Sequence, residues 1–211
     1  MGIPEEYEIL FMHGGGHGQF AAVPLNLCPS GDEKATYLVN GTWSKRALID
    51  ASKYCNPVVV SSENQDGTFT NNPSFENLNP ESKYVYLCSN ETVNGIELHR
   101  LPKLDIKAPL VVDASSDFST KPIDWVGCNV GVLYACASKN IGHPGLTLCV
   151  IRRDLLGTPS QLCPGVLCYT TNVREGNLWN TIATFNAAVA SGGDALGRRH
   201  MQVLRRTVVD A

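Results

Sequence analysis

The strongest constraint in this 211-residue sequence is a pair of apolar runs, residues 131–136 and 146–151, joined by a short polar connection. Runs of this kind predict strands buried on both faces of a sheet. Lys139 lies in the connection, within the segment ASKNIG. One interpretation is a surface lysine whose aliphatic stem packs on the sheet. The other is a Schiff-base nucleophile, because burial or a nearby cation lowers the pKa of a lysine from its usual value of about 10.4.

Similar apolar runs recur along the chain and alternate with helical patterns. Residues 19–27, 47–54 and 177–190 have features of helices, whereas the polar stretch 61–83 is predicted to cross the surface. This alternation predicts an α/β fold with a mainly parallel central sheet and helices on both faces. The other predicted strands are residues 7–12, 36–39, 57–60, 84–88 and 109–112.

Several chemically useful groups directly follow a predicted strand. In parallel sheets, ligands bind where the carboxyl ends of the strands meet. We therefore expect these groups to lie close together at that edge. They are the glycine loop 13–18, Trp43, Thr92, Asp113 and Lys139.

The composition excludes several classes of protein. The net charge of −3 argues against a surface that binds nucleic acid, and no stretch approaches the roughly 18 continuous apolar residues of a membrane span. The first residues, MGIPEEYEILF, lack the basic segment and apolar core of a secretion signal, so we expect a cytoplasmic protein. The eight cysteines form no CxxC pair, and we expect reduced thiols.

The glycine loop HGGGHG predicts an anion cradle, because its backbone N–H groups and a following helix N-terminus both favour a phosphate. It does not match GxGxxG, because position 19 is Gln, and no Gly-Lys-Ser/Thr of a P-loop follows. An esterase would need a GxSxG segment, which the sequence lacks. His13 and His17 have the spacing of helical metal ligands, but the glycines between them argue against a stable helix and against zinc.

Asp113 ends an apolar run, where a carboxylate is costly unless a cation accompanies it. The protonated ring nitrogen of pyridoxal phosphate is such a cation, and in enzymes with this cofactor a lysine carries the aldehyde. Trp43 has two interpretations, covering the face of a flat ring or packing in the core. Thr92 likewise either donates its hydroxyl to a ring substituent or forms a turn.

The chain also resembles a known family. Matching segments are FMHGGGHGQFAAVPLNL, YLVNGTWSKRA, LCSNETVNGIEL, LVVDASSDFSTKPID, YACASKNIGHPGLTLCVIRRDLLG and LWNTIATF, which cover most of residues 8–185. They resemble the phosphoserine aminotransferases, class V enzymes of the type I pyridoxal phosphate fold. The resemblance implies a large domain of that fold over residues 1–185, which would hold pyridoxal 5′-phosphate.

Roles for individual residues follow from the resemblance alone. It implies that Lys139 forms an aldimine with the cofactor, and that Asp113 binds the pyridinium nitrogen. The family usually has Gln where this chain has Ser138, a shorter side chain at a cofactor-binding position. The resemblance also implies that Trp43 stacks on the ring, Gly16 and His17 lie at the cofactor loop, Thr92 contacts the cofactor, and Asn180 and Thr181 reach the cofactor phosphate of a neighbouring subunit in a homodimer.

The implied reaction moves an amino group from L-glutamate to 3-phosphohydroxypyruvate, giving O-phospho-L-serine and 2-oxoglutarate in serine biosynthesis, with Lys139 as acid and base. Compared with the family, the chain is expected to lack the N-terminal arm and the small C-terminal domain. Residues 186–211 are expected to form a divergent tail. A second hypothesis is therefore a truncated relative that keeps the fold and dimerises, with little or no turnover.

Overall fold

The structure is a computed structural model that describes residues 2–76 and 78–191. Most of the predicted tail, residues 192–211, lies outside the described residues. The main strands are β1 (Tyr7–Met12), β2 (Lys34–Val39), β3 (Asn56–Ser61), β4 (Val85–Cys88), β7 (Leu110–Asp113), β8 (Val130–Cys136) and β9 (Thr147–Arg152), and a small hairpin consists of β5 (Asn90–Glu91) and β6 (Ile96–Glu97).

Seven strands form one sheet in the order β1-β9-β8-β7-β4-β2-β3. The pairs from β8 to β3 are all parallel, whereas β9 runs antiparallel to both β8 and β1. Six of the seven strands therefore point the same way, which places the carboxyl ends of β1, β2, β4, β7 and β8 at one edge. The predicted mainly parallel sheet is confirmed.

The central strands are buried on both faces, as their continuous apolar runs predict. Every residue of β4 and β7 is buried, and β8 and β9 each have one partly exposed residue, at the last position. One face packs against α1 (Gly15–Leu27), α2 (Thr42–Ala51) and α3 (Tyr169–Arg174). The other face is covered by α4 (Thr184–Ser191) and by connecting segments that contribute Phe118 and Trp125.

Several predicted boundaries differ from the structure; α2, for example, covers Thr42–Ala51 rather than residues 47–54. The predicted glycine loop is shorter, because α1 begins at Gly15 after a turn in which Gly14 and Gly15 have φ values of 92° and 62°. The predicted helix over residues 177–190 begins only at Thr184. A six-residue helix, α3, was not predicted, because it is too short to show a periodic apolar pattern.

Asn177 cannot be part of the predicted helix over residues 177–190. Its backbone is left-handed, with φ of 68°, and its buried side chain lies against the free edge of β1. The amide oxygen accepts a hydrogen bond from the Phe11 N–H at 3.0 Å, and the amide nitrogen donates to the Ile9 carbonyl at 3.2 Å. The Asn177 side chain thus pairs with backbone groups of β1. These groups would otherwise lack partners, because β1 is an edge strand.

We predict that Asn177→Ala lowers the free energy of unfolding by about 2–3 kcal/mol, because it leaves buried edge groups unpaired and puts alanine in a left-handed backbone that asparagine adopts more readily. Asn177→Gly should lose less, since glycine tolerates positive φ. Urea unfolding of the three proteins measures both differences. Equal stability of wild type and Asn177→Ala would contradict the structural role of this amide.

Candidate active site

A cavity of about 280 Å³ opens at the carboxyl edge of the sheet. Its size lies near the lower end of the range for small-molecule sites. The glycine segment, Trp43, Asp113 and Lys139, each predicted to follow a strand, lie around this one space. Its lining comprises Gly15, Gly16, His17, Phe20, Trp43, Cys88, Asn90, Asp113, Ser115, Ser116, Cys136, Ala137, Ser138, Lys139, Pro144, Gly145 and Leu146.

Asp113 is the last residue of β7 and is only 5% exposed. Burial raises the pKa of its carboxyl group, although hydrogen bonds from Ser115 and Tyr134 oppose the increase, and the nearby Glu91 charge adds to it. The Ser115 N–H donates to one carboxylate oxygen at 2.9 Å. The acid is therefore held in a fixed orientation at a site where a bound cation would be strongly favoured.

Lys139 lies in the turn between β8 and β9, as predicted, and lines the same cavity as Asp113. Its ammonium nitrogen lies 5.6 Å from the centre of the Trp43 ring, within the range of a cation–π interaction. Lys139 is exposed at the cavity wall, as the interpretation of a surface lysine predicts, and it also faces the space that Asp113 lines.

Trp43 is the second residue of α2 and is partly buried. Its indole N–H donates to the Thr92 hydroxyl at 3.1 Å. The Arg46 guanidinium lies 4.9 Å from the centre of the ring, and the His17 ring approaches it nearly edge-on at 6.1 Å. Of the two interpretations of Trp43, the position on the cavity wall favours a ring that covers a ligand.

The glycine segment contributes the N-terminus of a 13-residue helix to the cavity. Gly15, Gly16 and His17 belong to its first turn and line the space, so their backbone N–H groups are available to an anion. A Cβ added at Gly16 would lie 3.7 Å from the Ser115 hydroxyl and 3.9 Å from Asp113, which shows how close the helix start is to the acid.

Three of the predicted cofactor-binding residues do not line this cavity. Thr92 is exposed and contacts the Trp43 indole instead. Asn180 and Thr181 are also exposed, and the Thr181 carbonyl oxygen lies 3.0 Å from the His13 imidazole nitrogen. Ser138, by contrast, lines the cavity, with its hydroxyl 3.5 Å from the Cys136 sulfur.

Several residues of the cavity lining were not predicted from the sequence. Ser115 bonds both to Asp113 and to the Cys136 N–H, and Ser116 donates to the Asn90 carbonyl at 2.8 Å. The sequence offered a reason to select both serines, since they follow Asp113 at the end of the same strand. Phe20 carried no signal, because an aromatic residue in a helix ordinarily belongs to the core.

Within residues 2–76 and 78–191, no group of three or more His, Cys, Asp or Glu side chains is placed to hold a metal ion. No helix in this part of the chain has the length and hydrophobicity needed to cross a bilayer. All eight cysteines are free, in agreement with the predicted reduced thiols.

Comparison with known proteins identifies the family. The model of the family described as "Aminotransferase class-V" matches residues 1–187. The chain belongs to this family. Its relatives include phosphoserine aminotransferase 2, chloroplastic, of Arabidopsis thaliana, which is 41% identical over 87% of this chain and 43% of its own length. Phosphoserine aminotransferase of Albidiferax ferrireducens is 40% identical over 90% of this chain and 53% of its own length.

Solved structures agree with the family assignment. A PLP-bound phosphoserine aminotransferase from Trichomonas vaginalis is 32% identical to this chain, with a TM-score of 0.81, over 97% of this chain and 55% of the other. The likeness confirms the expected fold, a class V aminotransferase domain with a mainly parallel sheet. The chain spans about half the length of the relatives that it matches.

We predict that Asp113→Asn raises the melting temperature of the ligand-free protein near pH 8 by about 3 °C, the shift that about 1 kcal/mol produces in a domain of this size. The folded-state pKa of Asp113 is raised, so its ionisation costs stability as pH rises above the ordinary aspartate value of about 3.9. Below that value the carboxyl is neutral in both states, and the gain should vanish. Thermal unfolding across pH measures this.

Asp117→Asn provides the matched control, because Asp117 is equally buried but lies 2.8 Å from the Lys121 ammonium. Removing that charge should lower the melting temperature rather than raise it, since the partly buried Lys121 ammonium then loses one of its two carboxylate partners, Asp117 and Glu97. A fall in melting temperature for Asp113→Asn at every pH would contradict the proposed cost of the buried acid.

Proposed function

We propose that this chain is the cofactor domain of a transaminase that acts on phosphoserine and uses pyridoxal phosphate. One observation carries the proposal: Lys139 and Asp113 line the same cavity, and the Trp43 ring forms part of its wall. A covalent lysine, an acid for a ring nitrogen and a flat surface for the ring are the three groups that this cofactor requires. The PLP-bound relative from Trichomonas vaginalis supports the choice of cofactor.

The residues present fit the cofactor. The first turn of α1 offers N–H groups for a phosphate, at Gly15, Gly16 and His17. Asp113 is buried and carries no salt bridge within the described part of the chain, so a protonated ring nitrogen would supply its missing cation. Lys139 supplies the amine for the aldehyde. When bound, the cofactor withdraws electrons from the substrate Cα and thereby makes its proton removable.

Residues of the chain would orient the cofactor and move protons. Asp113 would keep a bound ring nitrogen protonated, because separating two opposite charges in a buried site is costly. Trp43 would provide the flat surface on which a bound ring stacks. With the cofactor bound, Lys139 would supply the amine for its aldehyde and would also act as the general base and acid that moves the substrate Cα proton.

We further propose L-glutamate and 3-phosphohydroxypyruvate as substrates, with O-phospho-L-serine and 2-oxoglutarate as products. Support comes from the names of the relatives at 38–41% identity. The homodimer and the cytoplasmic location remain proposals as well. The exposure of Asn180 and Thr181 on the chain surface is compatible with their predicted role at the cofactor phosphate of a neighbouring subunit.

The alternative is a relative that folds and dimerises without turnover. The comparisons favour the transaminase, because the relatives that match this chain are named as phosphoserine aminotransferases. Both functions allow the chain to bind the cofactor, and they differ in whether amino transfer follows. Cofactor binding and amino transfer therefore need separate experiments.

We predict that pyridoxal phosphate added to the purified chain produces a visible absorption band, and that borohydride reduction fixes the cofactor on Lys139. Lys139→Ala should lack both the band and the labelled peptide. Lys34→Ala is the control, since Lys34 begins β2 at the opposite edge of the sheet and pairs with Glu81 at 2.6 Å. Absorbance and peptide mass spectrometry measure the outcome. Labelling spread over many lysines would refute the assignment.

We predict that O-phospho-L-serine converts the loaded cofactor to its aminated form, with loss of the visible band, at least about 10-fold faster than L-serine does, because a bound phosphate adds charge-assisted hydrogen bonds. Stopped-flow absorbance gives both rates. Stable cofactor binding with no amino transfer from either amino acid would support the inactive alternative instead.

A further inference from the structure

Helix α2 supplies only part of its own cap, the Ser44 hydroxyl, which accepts from the Gly41 N–H at 3.1 Å. Its N-cap residue is Gly41, which has no side chain to accept hydrogen bonds from the first turn. A helix N-terminus leaves its first N–H groups without partners inside the helix, and buried N–H groups without partners are costly. This turn carries Trp43, so whatever satisfies these N–H groups also fixes the ring that lines the cavity.

Glu91, nearly fifty residues later in the sequence, accepts hydrogen bonds from two of these N–H groups. One carboxylate oxygen accepts from the Trp43 N–H at 2.8 Å, and the other accepts from the Ser44 N–H at 2.6 Å. The side chain is fully buried. A carboxylate at this end of a helix also interacts favourably with the helix dipole.

The absence of a side chain at Gly41 makes room for this acid. A Cβ at Gly41 would lie 2.5 Å from the Glu91 carboxyl carbon and 2.7 Å from one of its oxygens, closer than atoms approach without displacement. Gly41 and Glu91 therefore depend on each other, because only glycine at position 41 leaves room for the carboxylate. A capping side chain on the helix itself is replaced by a buried carboxylate from the β5–β6 hairpin.

Neighbours of Glu91 complete the attachment. The Asn94 amide oxygen accepts from both the N–H and the hydroxyl of Thr42, at 2.9 and 3.0 Å. The Thr92 hydroxyl accepts from the Trp43 indole. One hairpin thus binds the backbone of three successive residues at the start of α2 and the indole of one of them, which leaves the ring little freedom.

We infer that Glu91 is a positioning residue: its buried carboxylate holds the first turn of α2 so that the Trp43 ring stands ready to stack on the cofactor. The inference rests on the proposed function, because it assigns the stacked ligand to pyridoxal phosphate. Glu91 does not itself line the cavity, so its effect on cofactor binding passes through Trp43.

A double-mutant cycle tests the inference on the full chain, with pyridoxal phosphate titrated by absorbance. Glu91→Gln keeps the shape of the side chain but presents one N–H group to a helix N–H, and it should weaken cofactor binding by about 10-fold. In a Trp43→Ala background, the same Glu91→Gln change should alter the dissociation constant by less than about 2-fold. The cofactor band at Lys139 should still form in every variant.

Asp117→Asn is the matched control, because Asp117 is a buried carboxylate that binds the Ser89 hydroxyl at 2.6 Å and is absent from the cavity lining. It should lower the melting temperature without changing the dissociation constant. A merely structural Glu91 would behave in the same way, or would weaken binding equally in both backgrounds. Either result overturns the inference.

Gly41→Ala serves as a second variant if Glu91→Gln fails to fold. Its new methyl group displaces the carboxylate without removing it, and it should show the same dependence on Trp43. A wild-type chain that never binds pyridoxal phosphate would overturn the proposed function together with this inference. Normal binding by wild type with an additive cycle would overturn the positioning role alone.

Discussion

The site depends on one constraint, the common direction of six strands in the central sheet. Because those strands end at one edge, Asp113 at the end of β7 and Lys139 after β8 come to the same cavity although twenty-six residues separate them. The single antiparallel strand, β9, allows a short connection to carry the lysine. A parallel neighbour would have required a long crossover at that position.

Burial of the Asp113 carboxylate links the fold to its chemistry. The surrounding strands deprive the acid of water and raise its pKa, a cost to the protein that a bound cation would remove. Hydrogen bonds from Ser115 and Tyr134 orient the carboxyl group but do not neutralise it. Such a site favours a ligand with a protonated nitrogen, because binding that ligand would remove the cost of the buried carboxylate.

A second buried carboxylate has a different task. Glu91 faces N–H groups instead of the cavity, and the helix that it caps carries Trp43. Asp113 thus presents a carboxyl group to the cavity, whereas Glu91 binds the helix turn that carries Trp43. Arg46 and Thr92 contact the same indole, so the ring is held through its backbone, its N–H group and its face.

The sequence by itself determined most of the strands, the mainly parallel sheet and the gathering of Trp43, Asp113 and Lys139, because buried apolar runs and the residues that follow them are local signals. Only the tertiary structure decided which residues act together over long separations. Glu91 caps α2 and Asn177 pairs with β1, and neither partnership leaves a periodic pattern in the sequence. Thr92 contacts Trp43 outside the cavity for the same reason: hydrogen-bond geometry between distant segments depends on packing, which local spacing does not encode.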